Sequence, residues 1–371
     1  MTYGKPHSRT NAALRLLNKL SFLFFVFLSF ELAPAYERAS INIGGGYSSN
    51  LYADSFDIGN SYMVNNIAVS SAPIGKTGLR FFYGLSYYEY DTNNRINNFY
   101  HAPGIALFGK SSNQNFKWNL NASAGIKDYT DEQSGLDNFR VIVSGDASYY
   151  ANPATLLKGR YKETISRYSN FGSLDNSEHW MESELVLTFP TKTTARIIPR
   201  YVIRDFDDGQ EFDWLDFELG FSQSLDIRTG LSASALKRWS GGGSRPLSSY
   251  YILSGITPYW DPWDGLQLGL SLKRILPLAI VSQSESGYWR RKFSYDRLLR
   301  DNLPWLRNMN GRTDEGWFLK ASLSRQINLN ALLSKAVAIT FDGGFYSNRS
   351  SDRFYKYDFF FVGSNLEIRV F

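Results

Sequence analysis

The residues best placed to do chemistry in this chain are charged and regularly spaced. Lys158, Arg160 and Lys162 lie two apart, as do Glu182 and Glu184, and Asp216 and Glu218. Arg196, Arg200 and Arg204 lie four apart. Even spacing puts side chains on one face of a β-strand. If these strands are neighbours, bases and acids alternate across one surface. Such a surface can satisfy its own charge by cross-strand pairing. It can also line a constriction that orders water and selects solutes. The sequence leaves both readings open.

Other chemistry is sparse. The chain has no Cys, which removes disulfides, thiolate metal sites and a cysteine nucleophile. Of three histidines, His101 and His179 fall near strand ends, and Ser183 shares a face with His179 without forming a nucleophile–base pair. Asp205 to Glu211 is acidic and contains Asp208-Gly209, which reads as a hairpin loop or a weak divalent site bridging lipopolysaccharide. Its residue order is not that of an EF-hand. The glycine runs 44–46 and 241–243 lack the Lys-Ser/Thr of a phosphate loop and read as flexible. No enzyme, metal or cofactor is expected.

A second group lies between Leu276 and Thr313, read as the longest outer connection. It carries Trp289, Arg290, Arg291, Lys292, Arg297, Arg300 and Trp305. Leucines between 298 and 306 suggest a short helix over 296–302, ended before Pro304. So long a loop is expected to pack, either as a cap over a barrel mouth or folded inward to narrow it. Indole faces could stack on sugar rings, and the arginines could hold carboxylate or phosphate.

The elements that must hold these residues are strands. Phe116, Trp118, Leu120, Ala122, Ala124 and Ile126 alternate with polar or small residues. So do Leu215 to Phe221, Leu266 to Leu272, and Val337 to Phe341. The predicted strands run about 10 to 14 residues, longer than the ~5 to 6 of soluble sheets. Their spans are 39–48, 61–72, 77–91, 98–109, 115–129, 137–150, 155–168, 177–189, 193–205, 211–224, 227–239, 248–259, 264–275, 314–326, 335–347 and 354–371. Aromatics make up 16% of the chain and gather near strand ends, including Tyr87, Tyr88, Tyr149, Trp180, Trp214, Trp239, Trp263 and Trp317. These suit the girdles of a membrane barrel. The expected fold is all-β: a transmembrane antiparallel up-and-down barrel of about 16 strands. Fourteen is the alternative, because Gly44-Gly45-Gly46 weakens the first strand. Connections alternate short and long, which places both termini in the periplasm. Pro103, Pro199 and Pro258 are expected at bulges or strand ends.

Residues 1–35 read as a cleaved signal peptide, with a basic start, the apolar run Leu20–Phe30 and Ala33-Pro34-Ala35. Residues 36–371 read as one barrel domain without a periplasmic repeat domain. Much of the formal +5 charge belongs to the signal and to the 276–313 segment, so no nucleic-acid partner is expected.

The segment Phe359 to Phe371, amphipathic and ending in Phe, resembles the terminal strand of Gram-negative outer-membrane barrels. Leu366, Ile368 and Val370 are one residue out of phase with Phe371, a departure from that pattern. Gly46 to Tyr52, with Tyr346-Ser347-Asn348 and Tyr355 to Gly363, also resembles the opening and closing hairpins of surface lipoprotein assembly modifiers and exopolysaccharide exporters. The first resemblance implies a porin-like barrel in the outer membrane, among lipid and lipopolysaccharide, inserted by the barrel-assembly machinery. Two functions follow as expectations. One is a passage for small polar solutes or sugars. The other is an export or non-channel barrel working with a periplasmic partner in surface polymer or surface protein assembly.

Overall fold

The computed structural model describes residues 36–49, 59–74, 78–91, 97–129, 137–169, 172, 175–207, 209, 211–242, 263–293, 312–331, 334–351 and 355–369. The signal segment, Pro258, Arg297, Arg300, Trp305, the helix expected over 296–302 and the strand expected over 248–259 lie outside these residues.

The strands are β1 (Tyr36–Ser48), β2 (Asn60–Ser71), β3 (Arg80–Tyr90), β4 (Asn98–Lys110), β5 (Phe116–Tyr129), β6 (Asn138–Asn152), β7 (Thr155–Tyr168) and β8 (Asn176–Phe189). They continue as β9 (Thr193–Phe206), β10 (Glu211–Ser224), β11 (Thr229–Gly242), β12 (Trp263–Ile275), β13 (Ile280–Phe293), β14 (Arg312–Ala331), β15 (Ser334–Ser350) and β16 (Tyr357–Arg369). Each pairs antiparallel with its sequence neighbours, and β1 pairs with β16 to close the barrel. The glycine run is paired on both sides within β1 rather than flexible, and Gly46 meets Gly363 at the seam. The two hairpins singled out in the sequence therefore adjoin each other.

Alternation sorts the side chains. On β10, Leu215, Phe217, Leu219 and Phe221 point outward and are exposed, while Phe212, Trp214 and Asp216 point inward and are buried. Leu120 on β5, Leu266 to Leu272 on β12, and Trp317, Leu319 and Leu323 on β14 continue the outer apolar surface. Each such side chain would cost roughly 1.5–3 kcal/mol to keep in water. Hydrocarbon removes that cost, and a closed ladder leaves it no unpaired strand edge. The fold is a transmembrane barrel.

Several expectations change. Ile280–Phe293 is a strand, so 276–313 is not one outer loop. Residues 276–279 instead form a tight turn, with Leu278 and Ala279 at φ 61° and 56°. Two consecutive left-handed residues make the turn that suits a two-residue hairpin, usually signalled by Asn-Gly. Leu-Ala carries no such signal. Pro103 and Pro199 lie inside β4 and β9 without a register shift, so neither marks a bulge or an end. Pro199 stands opposite Phe217 on β10, and the β8 ladder opens beside it between Glu182–Arg200 and Leu185–Ile197. The aromatics divide by parity. Tyr87, Tyr149, Trp239 and Trp317 face outward, whereas Tyr88, Trp180, Trp214 and Trp263 share the inward face of their strands with the lumenal residues.

Candidate functional site

The ten charged residues predicted from β-spacing all point into the barrel, and the register joins four of them, Arg160, Glu182, Arg200 and Asp216, into one ribbon. Arg160 of β7 stands opposite Glu182 of β8, and Glu182 opposite Arg200 of β9. Arg200 stands opposite Asp216 of β10, and Asp216 opposite Arg238 of β11. Bonding follows register. Arg160 Nη1 donates to Glu182 Oε1 at 2.9 Å. Arg200 Nε donates to Glu182 Oε2 at 2.9 Å, and its Nη1 to Asp216 Oδ2 at 3.3 Å. Arg238 Nε and Nη2 donate to the two oxygens of Asp216 at 2.6 and 2.8 Å. Each ribbon carboxylate is thus held between two guanidiniums. Beside the ribbon, Lys158 Nζ donates to Glu184 Oε2 at 2.8 Å, Arg204 Nε to Glu178 Oε2 at 3.0 Å, and Glu218 lies 3.8 Å from Arg200.

The ribbon extends both ways. Arg160 faces Asp146 of β6, whose Oδ1 accepts from Asn119 Nδ2 at 3.3 Å. Beyond Arg238 the line passes through Gly265 to Arg291 and then Asp314, which accepts from Ser350 Oγ at 2.6 Å. An acid at position 265 would complete the alternation. A Cβ there would strike the Arg290 carbonyl, so only glycine fits. Trp263 occupies the gap instead, with the guanidinium carbons of Arg238 and Arg291 4.4 and 5.1 Å from its ring. Because barrel strands are staggered, a line of paired residues climbs the wall instead of circling it. Asp146 lies near the middle of β6, and Asp314 lies two residues from the start of β14.

Burial makes the pairing obligatory. Asp216 has no exposed surface, and Glu182 is 9% exposed. A buried carboxylate costs several kcal/mol unless cations and hydrogen bonds surround it. Indole rings complete the enclosure. Trp180 has the cationic groups of Arg160, Lys162 and Arg200 within 5.1–5.6 Å, and Trp214 has those of Arg204 and Arg238 at 5.5 and 5.0 Å. Guanidinium over an indole face is attractive and stiffens both groups. A cavity of about 230 Å³ opens on this surface between Asp146, Ser148, Lys158, Arg160 and Glu182.

The remaining expected residues scatter. Arg196 points inward but lies against Gly220 rather than in the ribbon. Trp289 and Arg291 point inward from β13, while Arg290 and Lys292 point outward. His101 and His179 are outward, each taking part in a hydrogen bond with a tyrosine hydroxyl, Tyr83 at 2.8 Å and Tyr161 at 2.9 Å. Ser183 shares that outer face. Among the described residues, no three His, Asp or Glu side chains are placed to hold a metal. Asp146, Arg238 and Asp314 were not singled out from the sequence. Arg238 is the one charge on the inward face of β11, Asp146 shares its face with Arg140 six residues away, and Asp314 follows Arg312 by two. None repeats the like-charge spacing of the expected residues, so cross-strand register marks them.

No family model and no curated protein matches the chain. Solved structures do. The fold is similar to OccK1 (OpdK) of Pseudomonas aeruginosa, at 10% identity and TM-score 0.52, over 90% of this chain and 98% of that one. It is similar to a bacterial polysaccharide outer membrane secretin, again at 10% identity and TM-score 0.52, over 90% and 98%. OpdL of Pseudomonas aeruginosa matches at 12% identity and TM-score 0.50, over 90% and 98%. At such identities the likeness is one of fold, that of an outer-membrane barrel.

Proposed function

We propose that this chain is a Gram-negative outer-membrane channel for small polar solutes, sugars among them, without catalytic activity. The observation that carries the reading is the contrast between the walls: apolar outside, and inside a ribbon of charges paired across five neighbouring strands, β7 to β11. Sixteen strands enclose more space than side chains fill, which leaves room for water. A fixed row of charges along that water path discriminates between solutes by sign and dipole. One of the similar barrels is described as an outer membrane protein of Pseudomonas aeruginosa, which supports the location. In this reading the short turns and both termini face the periplasm. The signal segment brings the chain there, the barrel-assembly machinery inserts it, and lipopolysaccharide surrounds its outer half.

The test is planar-bilayer recording of the purified, folded full-length protein. Stepwise ohmic conductance is expected, and its absence overturns the reading. The export alternative also has support: Ile227 and Leu278 stand 86 and 71% exposed in two short turns, and Ile74 stands 52% exposed at the bridge to Leu79, apolar points suited to a periplasmic partner. A barrel that stays closed alone and opens only with such a partner would favour it.

A further inference from the structure

A different face of the inner wall, away from the charged ribbon's core, is aromatic. Phe318 of β14, Tyr346 of β15 and Phe359 of β16 are opposite one another in register. Phe318 and Tyr346 have ring centroids 5.4 Å apart at 26°, and Tyr346 and Phe359 4.8 Å apart at 9°. Trp289 adjoins Phe318 at 6.2 Å and 26°. Glycines make this overlap possible: a Cβ at Gly287 would strike the Phe318 ring, one at Gly316 the Trp289 ring, and one at Gly344 the Phe361 ring. The rings therefore lean over bare backbone and overlap like tiles.

The arrangement is anchored from behind. Trp289 is buried, and its Nε1 donates to Asn348 Oδ1 at 3.1 Å. Asn348 Nδ2 in turn donates to the Tyr355 carbonyl at 2.6 Å. Phe318, Tyr346 and Phe359 are only half-buried, and they open onto a cavity of about 520 Å³. That volume is within the range of small-molecule sites. Glu218, Gln267 and Arg291 line the same cavity.

We propose that this wall is a saccharide-binding site, seating one sugar ring on the stack. A pyranose has an apolar C–H face and a rim of hydroxyls. The C–H face matches the electron-rich faces of the rings. The hydroxyls match a carboxylate acceptor at Glu218, a guanidinium donor at Arg291 and an amide at Gln267. A purely apolar ligand would leave those polar groups unmatched, and a small inorganic anion would leave the rings unused. The site deepens the channel reading and rests on it for the route by which sugar arrives.

The experiment uses purified, folded full-length protein, with maltotriose as probe and a polyethylene glycol of similar mass as control. Channel current and tryptophan fluorescence in micelles are both recorded, with Trp289 beneath the stack as reporter. Maltotriose is expected to interrupt the current and shift the fluorescence, and the glycol to do neither. Tyr346→Ala should raise the half-blocking concentration about tenfold. Tyr346→Phe should retain the block, and Phe318→Leu provides a second loss variant if Tyr346→Ala does not fold. Equal interruption by the glycol, or block unchanged in both loss variants, overturns the site. Conductance with neither interruption nor fluorescence shift overturns the site and leaves the channel standing. A fluorescence shift that Tyr346→Ala removes, in a barrel that never conducts, upholds the site and overturns the channel.

Discussion

Asp216 shows how the lumen pays for its charge at the scale of one residue. It is fully enclosed, and its two arginines come from the strands on either side. Removing Arg238 strips the bidentate partner and leaves a buried carboxylate with one bond at 3.3 Å. Arg238→Ala should therefore destabilise the barrel by about 3–5 kcal/mol. Removing Asp216 as well should recover part of that loss, because no uncompensated charge then remains at that position. Urea unfolding in detergent micelles, followed by tryptophan fluorescence, measures both. A single variant costing under about 1 kcal/mol would show that Arg238 acts as a surface ion pair does. The aspartate and its neighbours Arg200 and Glu218 were legible from even spacing. Arg238 was not, because it is the lone base on the inward face of β11.

At the scale of the element, the β12–β13 hairpin is the instructive case. Its strands alternate plainly, with Leu266 to Leu272 outward on one and Trp289 and Arg291 inward on the other. The turn between them hid the second strand. Leu278 and Ala279 adopt φ values that side chains with a Cβ resist, at roughly 1–2 kcal/mol per residue. Asn at 278 and Gly at 279 relieve that cost. Leu278→Asn with Ala279→Gly should raise stability by about 1 kcal/mol or more in the same urea assay. An unchanged midpoint would mean that the pairing of the strands, and not the turn, sets the local energy. The prolines teach the converse. A proline missing one ladder donor is tolerated in mid-strand where it is outward, paired on one side, and the neighbouring ladder resumes in register.

For the whole molecule, the ribbon predicts an electrical property. Lys158 and Arg160 border the inner cavity beside Asp146 and Glu182. Replacing both bases with Glu reverses the local sign along the water path and should shift reversal potential in a salt gradient toward cation preference. Identical selectivity in the folded variant would place the narrow point elsewhere on the wall. This prediction is separate from that for Tyr346, because the rings of β14–β16 carry no net charge. Two surfaces of different chemistry therefore share one lumen.

The sequence by itself determined the strand period, the apolar outer face and the inward direction of ten charged residues, and it put the strand total at about sixteen with fourteen as the alternative. Those follow from local alternation, which a strand cannot escape: adjacent side chains must point to opposite faces. It did not determine which sixteen segments form the barrel. The 248–259 span lies outside the described residues, while Ile280–Phe293 is a strand whose turn carries no turn signal. Nor did it decide which charges meet. Trp180, Trp214 and Trp263 looked like membrane girdle and stand instead over lumenal guanidiniums. Neighbours in the ribbon are 14 to 27 residues apart in sequence, and only the register of the closed barrel brings them to one line. Face is a property of one strand, but register is a property of the closed sheet.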